Sequence, residues 1–125
     1  MKIIEAITEA DSLKANAFTV TAKIKWLSRL DMRVKNEIID THELNEGETA
    51  PASLDYGPDD AETVLLVPEP YAEMYIHWLE AQIDYYNMEY EGFNAANSMF
   101  DSVYESYRNY YNRDHAPKGT KKTYF

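Results

Sequence analysis

Cysteine is absent from the 125 residues, which removes a disulfide framework, a thiolate metal site and a cysteine nucleophile at once. The redox compartment is thereby left open. Glycine is scarce, and four of them cannot assemble a P-loop or a dinucleotide fingerprint. No apolar run approaches the roughly 20 residues that cross a bilayer. The opening Met1-Lys2-Ile3-Ile4-Glu5 meets an acid immediately instead of entering a hydrophobic signal core. The expectation is a soluble, unprocessed chain without a membrane partner. A hydrophobic fraction of 45% over this length supports one core and argues against a second domain.

The sharpest shortage is of cations. From Asn36 to Tyr107 there is no Lys or Arg, while 17 Asp or Glu occur; residues 1–35 carry +3 and residues 108–125 carry +4, giving a net charge of −10. Such a chain has little general affinity for a DNA backbone, because phosphate binding is driven by Lys and Arg that displace counterions. Two readings of the acidic middle stay open. It is a solvated face whose ion pairs come from the basic segments of the same chain. Alternatively, its complement is another copy displaced head to tail, a contact that closes into a ring or runs on as a filament.

Tyrosine is abundant, with 11 residues, most of them from Tyr71 to Tyr111. A phenol offers area with a polar tip, which suits a surface buried only when a partner arrives. The plainer alternative is that the rings on the inner stripes fill the core between helices.

Periodicity predicts an all-α fold, a small bundle. Ile3, Ile4 and Ile7 begin a short first helix, expected as a lid. Thr19 reads as an N-cap for a long helix over 20–40, with Val20, Ile24, Leu27, Leu30, Val34 and Ile38 inside, broadened by Trp26 and Met32. Lys23, Lys25, Arg29, Arg33 and Lys35 make it the chief basic face. Periodicity is lost after Thr41, where Gly47, Pro51, Gly57 and Pro58 mark a long loop, functional or mobile. Thr63-Val64-Leu65-Leu66-Val67 is a short extended segment, an edge strand in search of a partner; with it the loop covers 41–69. Pro70 then opens a helix over 70–91, Gly92 breaks it, and Asn94 caps a second over 94–113 whose inner stripe is Ala96, Met99, Phe100, Val103, Tyr107 and Tyr110. These two form an antiparallel hairpin. The helical domain is expected over 1–116, with 117–125 as a C-terminal arm.

Catalytic patterns are thin. Glu73, His77, Glu80 and Asp84 fall along one helical face, yet a helical di-metal site needs ligands from several helices. Glu37-Ile38-Ile39-Asp40 matches half of the acidic pattern by which all-α nucleotide pyrophosphohydrolases hold magnesium, but Glu43 and Glu46 follow it into the loop instead of facing it. His42 and His115 lie outside the expected core, and no serine has a visible base. The expectation is a non-enzymatic protein with no cofactor.

Residues 22–34 and 65–118, with their VPEPY junction at 67–71 and the YYNR ending at 110–113, resemble the head–tail connector or adaptor proteins of tailed phages. The resemblance implies a structural virion protein made in the bacterial cytoplasm. It would form a homo-oligomeric ring, commonly dodecameric, between the portal protein and the downstream tail or neck proteins. DNA would pass through the ring without being specifically bound. Family members use loops and C-terminal arms for contacts, but no residue-level site is carried over from them. From the charge and aromatic distribution of this chain, partner contacts are expected at Lys118, Lys121, Lys122, Tyr124 and Phe125 of the arm, at Arg29 and Arg33 of the basic helix, and at Tyr85. An acidic DNA mimic that inhibits a nuclease, or a helical regulatory subunit, is the alternative.

Overall fold

A computed structural model describes residues 1–119. Four helices share one apolar core: α1 (Ile3–Leu13), α2 (Val20–Glu37), α3 (Glu73–Tyr86) and α4 (Tyr90–Asp114). The fold is an all-α bundle, as the periodicity predicts. None of its helices, among the described residues, is long and apolar enough to cross a membrane.

Thr19 caps α2 as expected, its hydroxyl accepting from the Ala22 N–H at 3.1 Å. Ile24, Leu27, Leu30, Val34 and Ile38 are buried, so the inner stripe is the one read from the spacing. Three boundary members differ. Val20 and Met32 are exposed, and Lys23, expected on the basic surface, is buried with its ammonium 2.8 Å from Asp11. The helix ends at Glu37, three residues early, because the chain tightens into a 3-10 turn over Ile39–Thr41.

The first helix is not a lid. Its Ile3, Ala6, Ile7 and Ala10 are all buried, mostly against α3, and the small alanines let the two helices approach closely. The extended segment finds its partner here. Ile3 N–H donates to the Thr63 carbonyl and Leu65 N–H to Met1, around a single antiparallel bridge between Lys2 and Val64. No strand longer than such a bridge forms among the described residues.

The hairpin is present, but its hinge lies elsewhere. Pro70 follows a cis peptide bond and α3 starts only at Glu73. The turn occupies Asn87–Glu89, closed by Asn87 N–H to Ile83 O, Met88 N–H to Tyr85 O and Glu89 N–H to Asp84 O at 2.8 Å. Met88 takes the left-handed conformation there, at φ 62°. Gly92 does not interrupt the second helix and Asn94 does not cap it; both lie inside α4. The glycine is needed for approach: a Cβ at that position would stand 2.4 Å from the buried carboxylate of Asp84 on α3. Along α4 the buried stripe is Ala96, Phe100, Tyr104, Tyr107 and Tyr111, whereas Met99, expected inside, is exposed.

The long loop is packed. Leu65 and Val67 are buried, Tyr56 inserts into the core, and the Ser28 hydroxyl of α2 bonds the Leu54 carbonyl while receiving the Tyr56 N–H. The arm also starts differently from the expectation. Glu43 N–H donates to the Ala116 carbonyl at 2.7 Å and Lys118 N–H to Thr41 at 3.0 Å, with a bridge between His42 and Pro117. Residues 115–118 thus belong to the folded unit.

Candidate interaction surface

Polar side chains drawn into the interior are used to hold the loop. Asp31 is fully buried and accepts from the Tyr56 hydroxyl (2.5 Å), the Tyr75 hydroxyl (2.5 Å) and the Leu66 N–H (3.0 Å), so one carboxylate ties α2, α3 and the loop together. Burial pushes its pKa above the ordinary aspartate value, against the pull of those three bonds. Tyr75 also accepts from Val67 N–H at 2.7 Å, and burial raises its phenol well above the usual range. Each donor has its acceptor, which leaves this cluster nothing to offer a substrate.

The two histidines, expected outside the core, are both buried at the junction of the loop with the end of α4. His42 lies 2.6 Å from the Ile38 carbonyl through Nδ1 and 2.7 Å from Asn112 Oδ1 through Nε2. His115 stacks on Tyr111 with centroids 3.8 Å apart and meets the Glu48 carboxylate at 2.9 Å. Both rings serve attachment.

On α3, His77 Nδ1 lies 3.1 Å from Glu80 Oε1, but Asp84 is turned inward and paired with Lys14 at 2.9 Å. Among the described residues no three His, Asp or Glu converge on a point that could hold a metal. Among the described residues one groove of about 260 Å³ lies beside Lys14, His77, Glu80 and Met99, and another of about 350 Å³ between Met32, Lys35 and Leu54. Neither joins a nucleophile to a base.

Charge is the informative quantity. Within the described residues, Lys or Arg pairs with five carboxylates of the acidic middle: Glu37, Asp40, Glu62, Asp84 and Glu105. The other twelve of the 17 have no such partner there. Glu37 is the best supported. The Tyr104 hydroxyl at 2.7 Å and the Arg33 guanidinium at 3.1 Å hold its pKa below the usual glutamate value, while burial, helped by the Glu37 contact, pushes Tyr104 up to about 12. Lys25, Arg29, Arg113 and Lys118 in turn form no ion pair within the described residues. Surplus charge of both signs therefore stands on one molecule.

The second surplus is apolar and sits at the α3–α4 turn. Tyr85, Tyr86 and Tyr90 are about half exposed and Met88 is 74% exposed, with Tyr85 in contact with Tyr86, Tyr90 and Phe93 at centroid distances of 5.3, 6.4 and 5.5 Å. Beneath them Tyr86 stacks flat on Trp26, braced by the edge of Phe18. The cluster is therefore a rigid platform. Glu89 and Glu91 on it are exposed and form no direct ion pair within the described residues, although Glu89 lies in the field of Lys14, which is paired with Asp84. Left-handed backbone costs a non-glycine residue about 1 kcal/mol or more, so Met88 is strained and yet leaves most of its surface in solvent.

The expected contact residues are scattered. Arg29 is exposed and unpaired, and Tyr85 lies on the exposed platform. Arg33 is engaged at home, with its guanidinium 4.7 Å over the Tyr104 ring as well as on Glu37. Lys118 is held by its backbone at the far end of the bundle. Lys121, Lys122, Tyr124 and Phe125 lie outside the described residues. Met88 and Tyr90 were not foreseen, because the hairpin was expected to turn at Gly92; the signal was the Asn87-Met88 pair, where an exposed methionine follows a natural helix stop. No family model, curated protein or solved structure matches the chain.

Proposed function

We propose that this chain is a structural, non-enzymatic subunit of a head–tail connector, forming a ring between the portal and the tail of a tailed phage. The observation that carries the reading is the double surplus of charge within the described residues: twelve carboxylates in the middle of the sequence without a Lys or Arg partner, and Lys25, Arg29, Arg113 and Lys118 near its ends without an ion pair. Opposite charges that do not neutralise each other at home are available to neighbouring copies or to the portal rim. Acids left facing a channel would repel the DNA backbone and keep it sliding. The packed loop and four-helix core supply stiffness, and no cofactor enters this scheme. An exposed aromatic platform favours it over a DNA mimic, which needs carboxylates alone.

Electron microscopy of the protein mixed with a portal protein of the same phage tests the reading. A collar of repeated subunits on the portal is expected at low ionic strength, weakening towards ~0.5 M salt as the Debye length contracts. A chain that stays monomeric and leaves the portal bare at low salt would overturn it.

A further inference from the structure

The platform at the α3–α4 turn has an occupant in the sequence. We propose that it receives the segment Thr120–Phe125 of a second copy, with Lys121 and Lys122 on Glu89 and Glu91 and with Tyr124 or Phe125 against Tyr85, Met88 and Tyr90. The inference deepens the connector reading and rests on it.

Three observations lead there. The first is chemical complementarity: the platform is aromatic and its Glu89 and Glu91 form no direct ion pair within the described residues, while the segment carries two lysines, no acid and two aromatics. Tyrosine and methionine are enriched at the centres of protein interfaces, and paired rings add to the area they bury. The second is strain. Met88 keeps a left-handed backbone where glycine would be at ease, and it displays its thioether to solvent. A side chain retained against its own backbone preference points to a contact outside the isolated fold.

The third is reach, and it favours a neighbour's platform over the donor's own. Lys118 is tied to Thr41, beside the contact of His42 with Asn112. From Asn112 back to Tyr90 the helix runs about 33 Å at 1.5 Å per residue. Six residues beyond Gly119, fully stretched, cover only about 21 Å. Backbone length alone therefore stops short of the platform of the same chain, which favours the platform of a neighbour. Donor and acceptor lie at opposite ends of α4, so the contact is heterologous, the class that propagates from copy to copy and closes into a ring when the rotation allows.

The test places a photo-cross-linking phenylalanine analogue at position 125 of the full chain, under the conditions in which it associates, and maps the products by mass spectrometry. Products joining position 125 to residues 85–93 of another chain are expected. The double variant Tyr85→Ser with Met88→Gly should lower their yield about tenfold or more, as removal of a central anchor does, with its far-UV circular dichroism unchanged. Lys121→Glu with Lys122→Glu should do the same and lose its residual salt dependence. Cross-links that map within one chain or to another face of the neighbour overturn the docking, as does the absence of any intermolecular product. A collar on the portal whose cross-links map elsewhere removes the docking and leaves the connector reading standing. Docking that yields open filaments and never a collar does the reverse.

Discussion

Tyr75 and Tyr85 stand on the same helix and on different terms with the protein. Tyr75 is fully buried, donates its hydroxyl hydrogen bond to Asp31 and accepts from the Val67 N–H; Tyr85 is half exposed, and its ring contacts are with Tyr86, Tyr90 and Phe93. Around Tyr75 a buried carboxylate, two phenols and the loop backbone satisfy one another, and the region is finished within one chain. Around Tyr85 the rings are braced from beneath by Trp26 and Phe18 and left open above. The residue type alone does not separate structure from recognition. What separates them is whether hydroxyl and ring face are both used inside the fold.

The comparison is broken most directly at Asp31. Removing its carboxylate in Asp31→Ala leaves two buried phenols and the Leu66 N–H without an acceptor, and each orphaned group costs about 1–3 kcal/mol. Partial relaxation should bring the total to about 3 kcal/mol, with the loop from 54 to 67 losing hydrogen-exchange protection first. Tyr85→Ser, as the matched change at the open end, loses half a ring's burial and its ring contacts and should cost about 1 kcal/mol. Urea denaturation of both variants checks the contrast. Equal losses at the two sites would show that the platform is part of the core after all.

The next largest effect tests where the open end begins. Gly92→Ala adds a methyl 2.4 Å from the Asp84 carboxylate, which is buried and paired with Lys14. On helix propensity alone the change should stabilise by about 1 kcal/mol. Crowding should reverse the sign and cost about 2 kcal/mol, because the carboxylate has to move and its buried ion pair opens. A gain in melting temperature would place the glycine among ordinary helix positions.

The same two regions mark how far the sequence could be read. The long apolar stripe of α2, its Thr19 cap and the hairpin were legible, since each depends on neighbours within a few turns. The hinge was misplaced because Gly92 carries two meanings, a helix break and a close approach, and only the position of Asp84 across the interface chooses between them. The loop resisted for the same reason. Its anchors, Ser28 and Asp31, belong to a helix more than twenty residues upstream, and nothing in the local pattern of 41–69 announces them. His42 and His115 meet Asn112 and Glu48 only after the chain has closed on itself. Of the contact residues expected from sequence, Tyr85 and Arg29 stand exposed on the surface, while Arg33 is absorbed by Glu37 and Tyr104, partners that lie beyond any sequence window around the basic helix for the second of them.

The smallest effect is the most discriminating, because stability and association are expected to move in opposite directions. Met88→Gly relieves the left-handed backbone and discards a side chain that is 74% exposed, so the isolated fold loses almost no burial. Glycine's extra freedom in the unfolded chain offsets part of the gain, leaving a stabilisation of up to about 1 kcal/mol, read as a higher midpoint in urea. If the methionine is held for a neighbour, the same variant associates more weakly although it is the sturdier molecule. Sedimentation equilibrium on the two proteins at matched concentration reads that second quantity. A variant that is more stable and associates as well as its parent would show that Met88 has no part in the contact.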